Sequence, residues 1–254
     1  MHIRLVPCGF LKVRAIEMIK PWSPDQIGKI YPLDPEGFIR LSMNALLVKN
    51  NNRVVLIDPG TADFLPAKLI QEYGLEIPVS LEDALLAAGS GVEEVTDVVF
   101  THLHFDHGSG AFKRIPGDII KRFPHARYHV LKEHYQYALK PDRVEANSFS
   151  TFLFKRLKEI HWLEDWKEEG INFRLYNGHT LGMLVPEIKT AEGSVYYLSD
   201  LIPMKAFLEP GVYCGYDLNP ELAIQEKTEF LDSLDPGSRL LLFHEALSNS
   251  DFYW

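Results

Sequence analysis

Apolar residues along the chain fall into short runs, each closed by turn-forming or polar residues. Residues 2–13 predict a strand or hairpin. Runs at 44–49 and 53–57 flank Asn50, Asn51 and Asn52, a hairpin signal that ends at Asp58-Pro59-Gly60. One helix is predicted within 66–73 and another within 80–88, the second stopped by Gly89. Residues 97–101 predict a short buried strand, and 172–176, 194–198 and 239–243 predict three more. A further helix is predicted over 221–231. Strands alternate with helices, which predicts an α/β fold.

Three stretches break this rhythm. Residues 20–40 carry Pro21, Pro24, Pro32 and Pro35 with Gly28 and Gly37, which predicts a long loop. Its Trp22, Ile27 and Tyr31 either cover a cleft or pack onto a sheet edge. The stretch from about 130 to 170 predicts helix and is rich in aromatics: Tyr135, Tyr137, Phe149, Phe152, Phe154, Trp162 and Trp166. Those rings serve as helix core, line an apolar cleft, or form a homodimer contact. Residues 203–220 predict a loop rich in Pro and Tyr.

The chain has 254 residues, 46% of them hydrophobic, enough for one large domain or two small ones. Its formal net charge of −9 argues against a nucleic-acid partner, because phosphate binding is driven by Lys and Arg. Bound dications would offset part of that charge. The two cysteines, Cys8 and Cys214, are no disulfide scaffold and predict buried, reduced thiols. No apolar run reaches 18 residues and no signal peptide is evident, so a soluble cytoplasmic protein without membrane association is expected.

The chemistry gathers at strand ends. The segment Val98-Val99-Phe100-Thr101-His102-Leu103-His104-Phe105-Asp106-His107-Gly108 runs from an apolar strand into four metal-ligand types within six positions. FRLYNGHT then leads to His179, SVYYLSD to Asp200 and RLLLFHE to His244. Ligand sites in α/β sheets lie at the carboxyl ends of strands, so these loops could converge on one edge. Imidazole and carboxylate suit Zn²⁺ and related ions. The alternation His102-x-His104 directs two rings to one side, whereas adjacent Asp106 and His107 diverge and suit a second ion. So many imidazoles packed together without a metal would be costly. The other histidines, His2, His125, His129, His134 and His161, are expected to be surface or satisfied core residues.

These residues resemble a family. THLHFDHGSG is similar to the T-H-x-H-x-D-H-x-G signature of the metallo-β-lactamase superfamily. VVLIDPG with Asp58 resembles its upstream strand-end aspartate, NGHTLG its third-histidine loop, YLSDL its bridging aspartate and LLFHE its final histidine. The resemblance covers most of the chain. It implies an αββα sandwich of two mixed sheets, as a single domain over 1–254 with the 130–170 stretch as an insertion. It implies two divalent ions, Zn²⁺ first and Mn, Fe or Co as alternatives. His102, His104 and His179 would hold one, Asp106, His107 and His244 the other, and Asp200 would bridge them. A hydroxide between the ions would be the nucleophile, Asp106 or Asp200 would relay a proton, and Asp58 and Thr101 would orient ligand loops.

The resemblance also narrows the activity. Zinc β-lactamases of the best-known subclass carry Cys where Asp200 stands, and flavodiiron proteins carry Glu where His104 stands. DLIPMKAFLEPGVYCGYDLNPELAIQEK resembles the lactonase and parathion-hydrolase branch. The expected activity is hydrolysis of a small-molecule lactone, ester or phosphotriester. One departure is Pro203, where lactonases carry a Tyr that assists the carbonyl oxygen; Tyr213 or Tyr216 could substitute. The alternatives are a glyoxalase-II-like thioesterase and a metal-bound sensor or binding protein with little turnover.

Overall fold

The computed structural model describes every residue except Asn51 and Glu168. In chain order the strands are β1 (His2–Arg14), β2 (Ile19–Lys20), β3 (Phe38–Lys49), β4 (Val54–Ile57), β5 (Asp97–Val99), β6 (Phe112–Ile115), β7 (Asp118–Lys121), β8 (Arg127–Val130), β9 (His161–Trp162), β10 (Ile171–Tyr176), β11 (Met183–Thr190), β12 (Gly193–Tyr197), β13 (Tyr213–Cys214), β14 (Arg239–Leu241) and β15 (Asp251–Tyr253). The helices are α1 (Ala15–Met18), α2 (Pro24–Gly28), α3 (Ala67–Glu72), α4 (Leu81–Ala87), α5 (Phe105–Gly108), α6 (Lys132–Leu139), α7 (Thr151–Phe154) and α8 (Pro220–Asp232). They group into two compact units.

The first unit comprises Met1–Gly9, Met43–Glu72 and Glu76–Glu168. Its sheet has the order β1-β3-β4-β5-β8-β9. Strand β3 meets β4 antiparallel, with Leu46 opposite Ile57. From β4 through β5 and β8 to β9 the pairing is parallel. Strands covered on both faces read as unbroken apolar runs, and Leu46, Leu47, Leu56, Ile57, Val98 and Val99 are all fully buried. The parallel direction brings Asp58, after β4, and Thr101–His107, after β5, to the same end of the sheet.

The second unit comprises Phe10–Ser42, Tyr73–Leu75 and Glu169–Trp254. Its sheet has the order β10-β11-β12-β14-β15. Because β11 is antiparallel to both β10 and β12, and β12 is parallel to β14, strands β10, β12 and β14 all point one way. His179, Asp200 and His244 follow these three strands, so the unit delivers them at one edge. Helix α8 starts where the Asn219 side chain accepts from the Leu222 amide, with Pro220 in its first turn. It seats Phe230 edge-on against Tyr176 and Tyr196.

The predicted hairpin at 44–57, both early helices, the strands at 97, 172, 194 and 239 and the helix at 221 are all present. Asn51, in the predicted hairpin turn, and Glu168, at the edge of the predicted helical stretch, lie outside the described residues. Strand β11 and hairpin β6–β7 were not predicted. Strand β11 carries Pro186 and a buried Glu187, which mask its pattern; Glu187 is satisfied by Lys189, Ser194 and Tyr196. The continuous helix expected near 130–170 is instead α6, α7, turns at Ala146–Ser148 and Leu163–Asp165, and the edge strand β9. Pro141, lacking an N–H and restricting the residue before it, closes α6. Within 20–40, Ser23 caps α2 with a reciprocal Gln26 bond. There Ile27 and Tyr31 are buried packing residues, while Trp22 is half-buried. Among the described residues, no helix is long and apolar enough to cross a membrane.

Candidate metal centre

In the first unit, Asp58 is the anchor of the ligand turn. It is fully buried and adopts a positive φ of 50°. Its Oδ1 accepts from the Thr101 amide at 2.8 Å, and its Oδ2 accepts from the Thr101 hydroxyl at 2.5 Å. The same Oδ2 lies 3.0 Å from His107 Nδ1. Burial pushes the Asp58 carboxyl up, and the bonds from His107 and Thr101 pull it back only in part. Gly110 permits the close approach beneath: a Cβ there would lie 2.2 Å from the Pro59 carbonyl oxygen.

Proton placement follows from this anchoring. The Thr101 hydroxyl gives its hydrogen to Asp58, so at 3.1 Å from His102 Nδ1 it acts as acceptor, and Nδ1 carries the ring hydrogen. His104 places Nε2 3.3 Å from Glu145 Oε2, and a carboxylate only accepts, so Nε2 carries that ring's hydrogen. The other two nitrogens, His102 Nε2 and His104 Nδ1, lie 3.1 Å apart. His107 gives its Nδ1 hydrogen to Asp58, which leaves Nε2 as its lone-pair nitrogen, 4.0 Å from Asp106 Oδ2. The ligand-type atoms of Asp58, His102 and His107 lie within 4.8 Å of one another. Buried imidazoles and carboxylates of this kind are the donor types that suit a divalent ion.

In the second unit, His179 Nδ1 lies 2.9 Å from Asp217 Oδ1 and its Nε2 lies 3.2 Å from Asp200 Oδ2. Burial opposes a charge on this ring, but Asp200 and Asp217 on either side outweigh it and push its pKa up to about 10. At neutral pH the metal-free ring is thus an imidazolium, and a cation taking Nε2 must displace that proton. His244 Nε2 lies 3.6 Å from Asp200 Oδ1, while its Nδ1–H donates to the Ser42 carbonyl at 2.8 Å. Glu226 on α8 fixes the His179 loop by accepting from the amides of Asn177 and Gly178, both at 2.8 Å. Glu245 fixes the His244 loop: its carboxylate accepts from the Tyr31 hydroxyl and the Lys205 amide, each at 2.9 Å.

The structure thus gathers His102, His104, Asp106 and His107 in one unit and His179, Asp200 and His244 in the other. Tyr213, half-buried on β13, borders a small cavity with Asp200, Pro203, Cys214, Asp217 and Lys227. Tyr216 is 40% exposed. Sequence reasoning missed Glu145, Asp217, Glu226 and Glu245, whose partners lie elsewhere in the chain. Of the histidines set aside, His134 is a satisfied core residue, its Nε2 accepting from the Leu103 amide at 2.8 Å. His129 is buried against Asp97, and His125 is exposed beside Glu93.

Asp217 uses both oxygens, since its Oδ2 accepts from the Cys214 amide at 3.0 Å. Asp217→Asn would turn an amide NH₂ toward one of two donors. The expected result is about 10–100-fold weaker metal binding, read by competition with a chromophoric chelator. Unchanged affinity would mean that His179 needs no such partner.

No curated protein sequence matches this chain closely enough to count. Solved structures do. A probable metal-dependent hydrolase from Staphylococcus aureus superposes with a TM-score of 0.85 at 20% identity, covering 99% of this chain and 95% of its own. AidC, a dizinc quorum-quenching lactonase, gives 0.80 at 19% identity, with 99% and 93% covered. The hydrolase AbOPH, of the β-lactamase superfamily, gives 0.78 at 22% identity, with 99% and 92% covered. They share this chain's fold. The Lactamase_B sequence profile, that of the Metallo-beta-lactamase superfamily, matches residues 40–235, and the chain belongs to that superfamily.

Proposed function

We propose that this chain, a metal-dependent hydrolase of the metallo-beta-lactamase superfamily, opens a small-molecule lactone, ester or phosphotriester with two divalent cations, Zn²⁺ before Mn, Fe or Co. His102, His104 and His179 would hold one, Asp106, His107 and His244 the other, and Asp200 would be shared. The observation that carries this reading is the close approach of ligand-type nitrogens in the buried turn after β5, with His102 Nε2 and His104 Nδ1 3.1 Å apart. Family membership and the likeness to AidC, a dizinc lactonase by name, support it. When bound, such cations bring the pKa of water toward about 7 and polarise a carbonyl or phosphoryl oxygen.

The chain's own groups do the rest. Asp58, Glu145 and Asp217 each face one ring nitrogen, of His107, His104 and His179, and so fix how those imidazoles are turned. Asp200 and Asp106 are the carboxylates suited to carry a proton to the leaving oxygen. Pro203 offers no hydroxyl at the position where lactonases carry Tyr. Tyr213 borders the same cavity as Asp200, so its phenol is the first candidate to steady the substrate oxygen, ahead of exposed Tyr216. The deciding experiment is elemental analysis of the purified protein, followed by a panel of lactones, aryl esters, phosphotriesters and thioesters. Two equivalents of metal with turnover of a lactone, aryl ester or phosphotriester is the expected result. Turnover confined to thioesters, or a metal-replete protein inert to the whole panel, would overturn the proposal.

A further inference from the structure

Glu145 has no part in the seven-ligand set, yet its carboxylate is only 3% exposed. A buried carboxylate is tolerated only where donors meet it. Glu145 has His104 Nε2 at 3.3 Å on one side and a hydrogen bond with the Tyr137 hydroxyl on the other. Burial and Glu145 both raise the Tyr137 phenol above its ordinary pKa, so it stays protonated and donates. The same segment touches His104 twice more. Residue 149 forms a backbone bridge with residue 104, and the Phe149 ring stands edge-on to the His104 imidazole at 4.7 Å. On the neighbouring helix, His134 binds the Leu103 amide. The 134–149 stretch thus grips the residues around His104 through four separate contacts.

We propose that Glu145, backed by Tyr137, is a positioning residue that sets the orientation and electron donation of His104 toward its metal. Accepting the Nε2 hydrogen leaves Nδ1 as the nitrogen turned toward the metal and stops the ring from rotating. A negative partner also makes the ring a stronger base toward a cation. The sequence stretch that looked like a helical insertion then has a function: it delivers this carboxylate. The inference rests on the reading of His104 as a metal ligand.

The test compares wild type with Glu145→Ala, Glu145→Gln and Tyr137→Phe. Affinity for Zn²⁺ is measured by chelator competition, and the visible absorption of the Co²⁺-loaded protein reports ligand geometry. Expected are about 10–100-fold weaker binding and a changed Co²⁺ spectrum for Glu145→Ala. Glu145→Gln keeps an acceptor for Nε2–H and is expected to preserve the spectrum with a smaller loss of affinity. Tyr137→Phe is expected to weaken binding less than Glu145→Ala, and it decides the matter if the alanine variant does not fold. Wild-type affinity and spectrum in every folded variant would overturn the proposal. So would a lowered melting temperature of metal-free Glu145→Ala with wild-type affinity and spectrum, since that marks a structural role only. A wild-type protein that binds no metal would instead remove the proposed function itself, and this inference with it.

Discussion

His102→Ala is expected to lose bound metal and to slow hydrolysis on the order of 10³-fold or more. The argument starts from a strand end. Strand β5 delivers Thr101 to Asp58, the Thr101 hydroxyl lies 3.1 Å from His102 Nδ1, and His102 Nε2 lies 3.1 Å from His104 Nδ1. Removing the ring takes away one of the proposed metal donors. A bound cation contributes several kcal/mol to transition-state charge stabilisation, and about 4 kcal/mol corresponds to roughly 10³ in rate. His125→Ala is the control, because that ring is exposed and pairs with Glu93. Metal content by elemental analysis and initial rates on the best substrate of the panel are the readouts. A His102→Ala protein with full metal and full rate would sink the assignment.

Asp97→Ala is expected to cost about 3 kcal/mol of stability, a fall in melting temperature of about 6–12 °C for a chain of this size. Asp97 is the first residue of β5 and is fully buried. Its carboxylate lies 2.8 Å from His129 Nε2, 3.0 Å from Arg127 and 3.2 Å from Arg53, and accepts from the Thr96 hydroxyl at 2.7 Å. Alanine would strand these donors beneath the parallel strands. The arginines are partly exposed and can turn to water, which keeps the cost at the lower end for a broken buried pair.

The pH dependence has a definite sign. Burial opposes ionisation of Asp97, but His129, Thr96, Arg127 and Arg53 outweigh it and hold the carboxyl below its ordinary range. Its stabilisation is therefore fully present above the unfolded pKa of about 4 and is lost as pH falls through the lower folded value. Wild-type and Asp97→Ala melting temperatures are expected to differ most near neutral pH and to converge in acid. A gap that stays constant down to acid pH would assign the stability to packing rather than charge.

The candidate ligands stand out in the sequence because each stands just past an apolar run: His102 after 97–101, Asp200 after 194–198 and His244 after 239–243. Position along the chain and position at the sheet edge are there the same information. The supporting carboxylates were silent. Glu145 reaches His104 across 41 residues and Asp217 reaches His179 across 38, and neither pair leaves a local pattern. Strand β11 was hidden by Pro186, a residue that usually argues against an interior strand. The 130–170 stretch has helical composition, but Pro141 closes α6 and the rest forms turns and short pieces.

No candidate ligand is itself part of a strand; His102, His104, His179, Asp200 and His244 all sit in connecting segments or at their borders. Descendants of this chain could therefore be repurposed cheaply. The exposed turn at 209–211 can be rewritten or lengthened without disturbing a ladder bond of β12 or β14, whereas Pro203, Lys205 and Cys214 on either side of it hold His244, Glu245 and Asp217. Selection for a new nutrient, toxin or signal compound would act on those peripheral segments, while the reactive core was inherited intact.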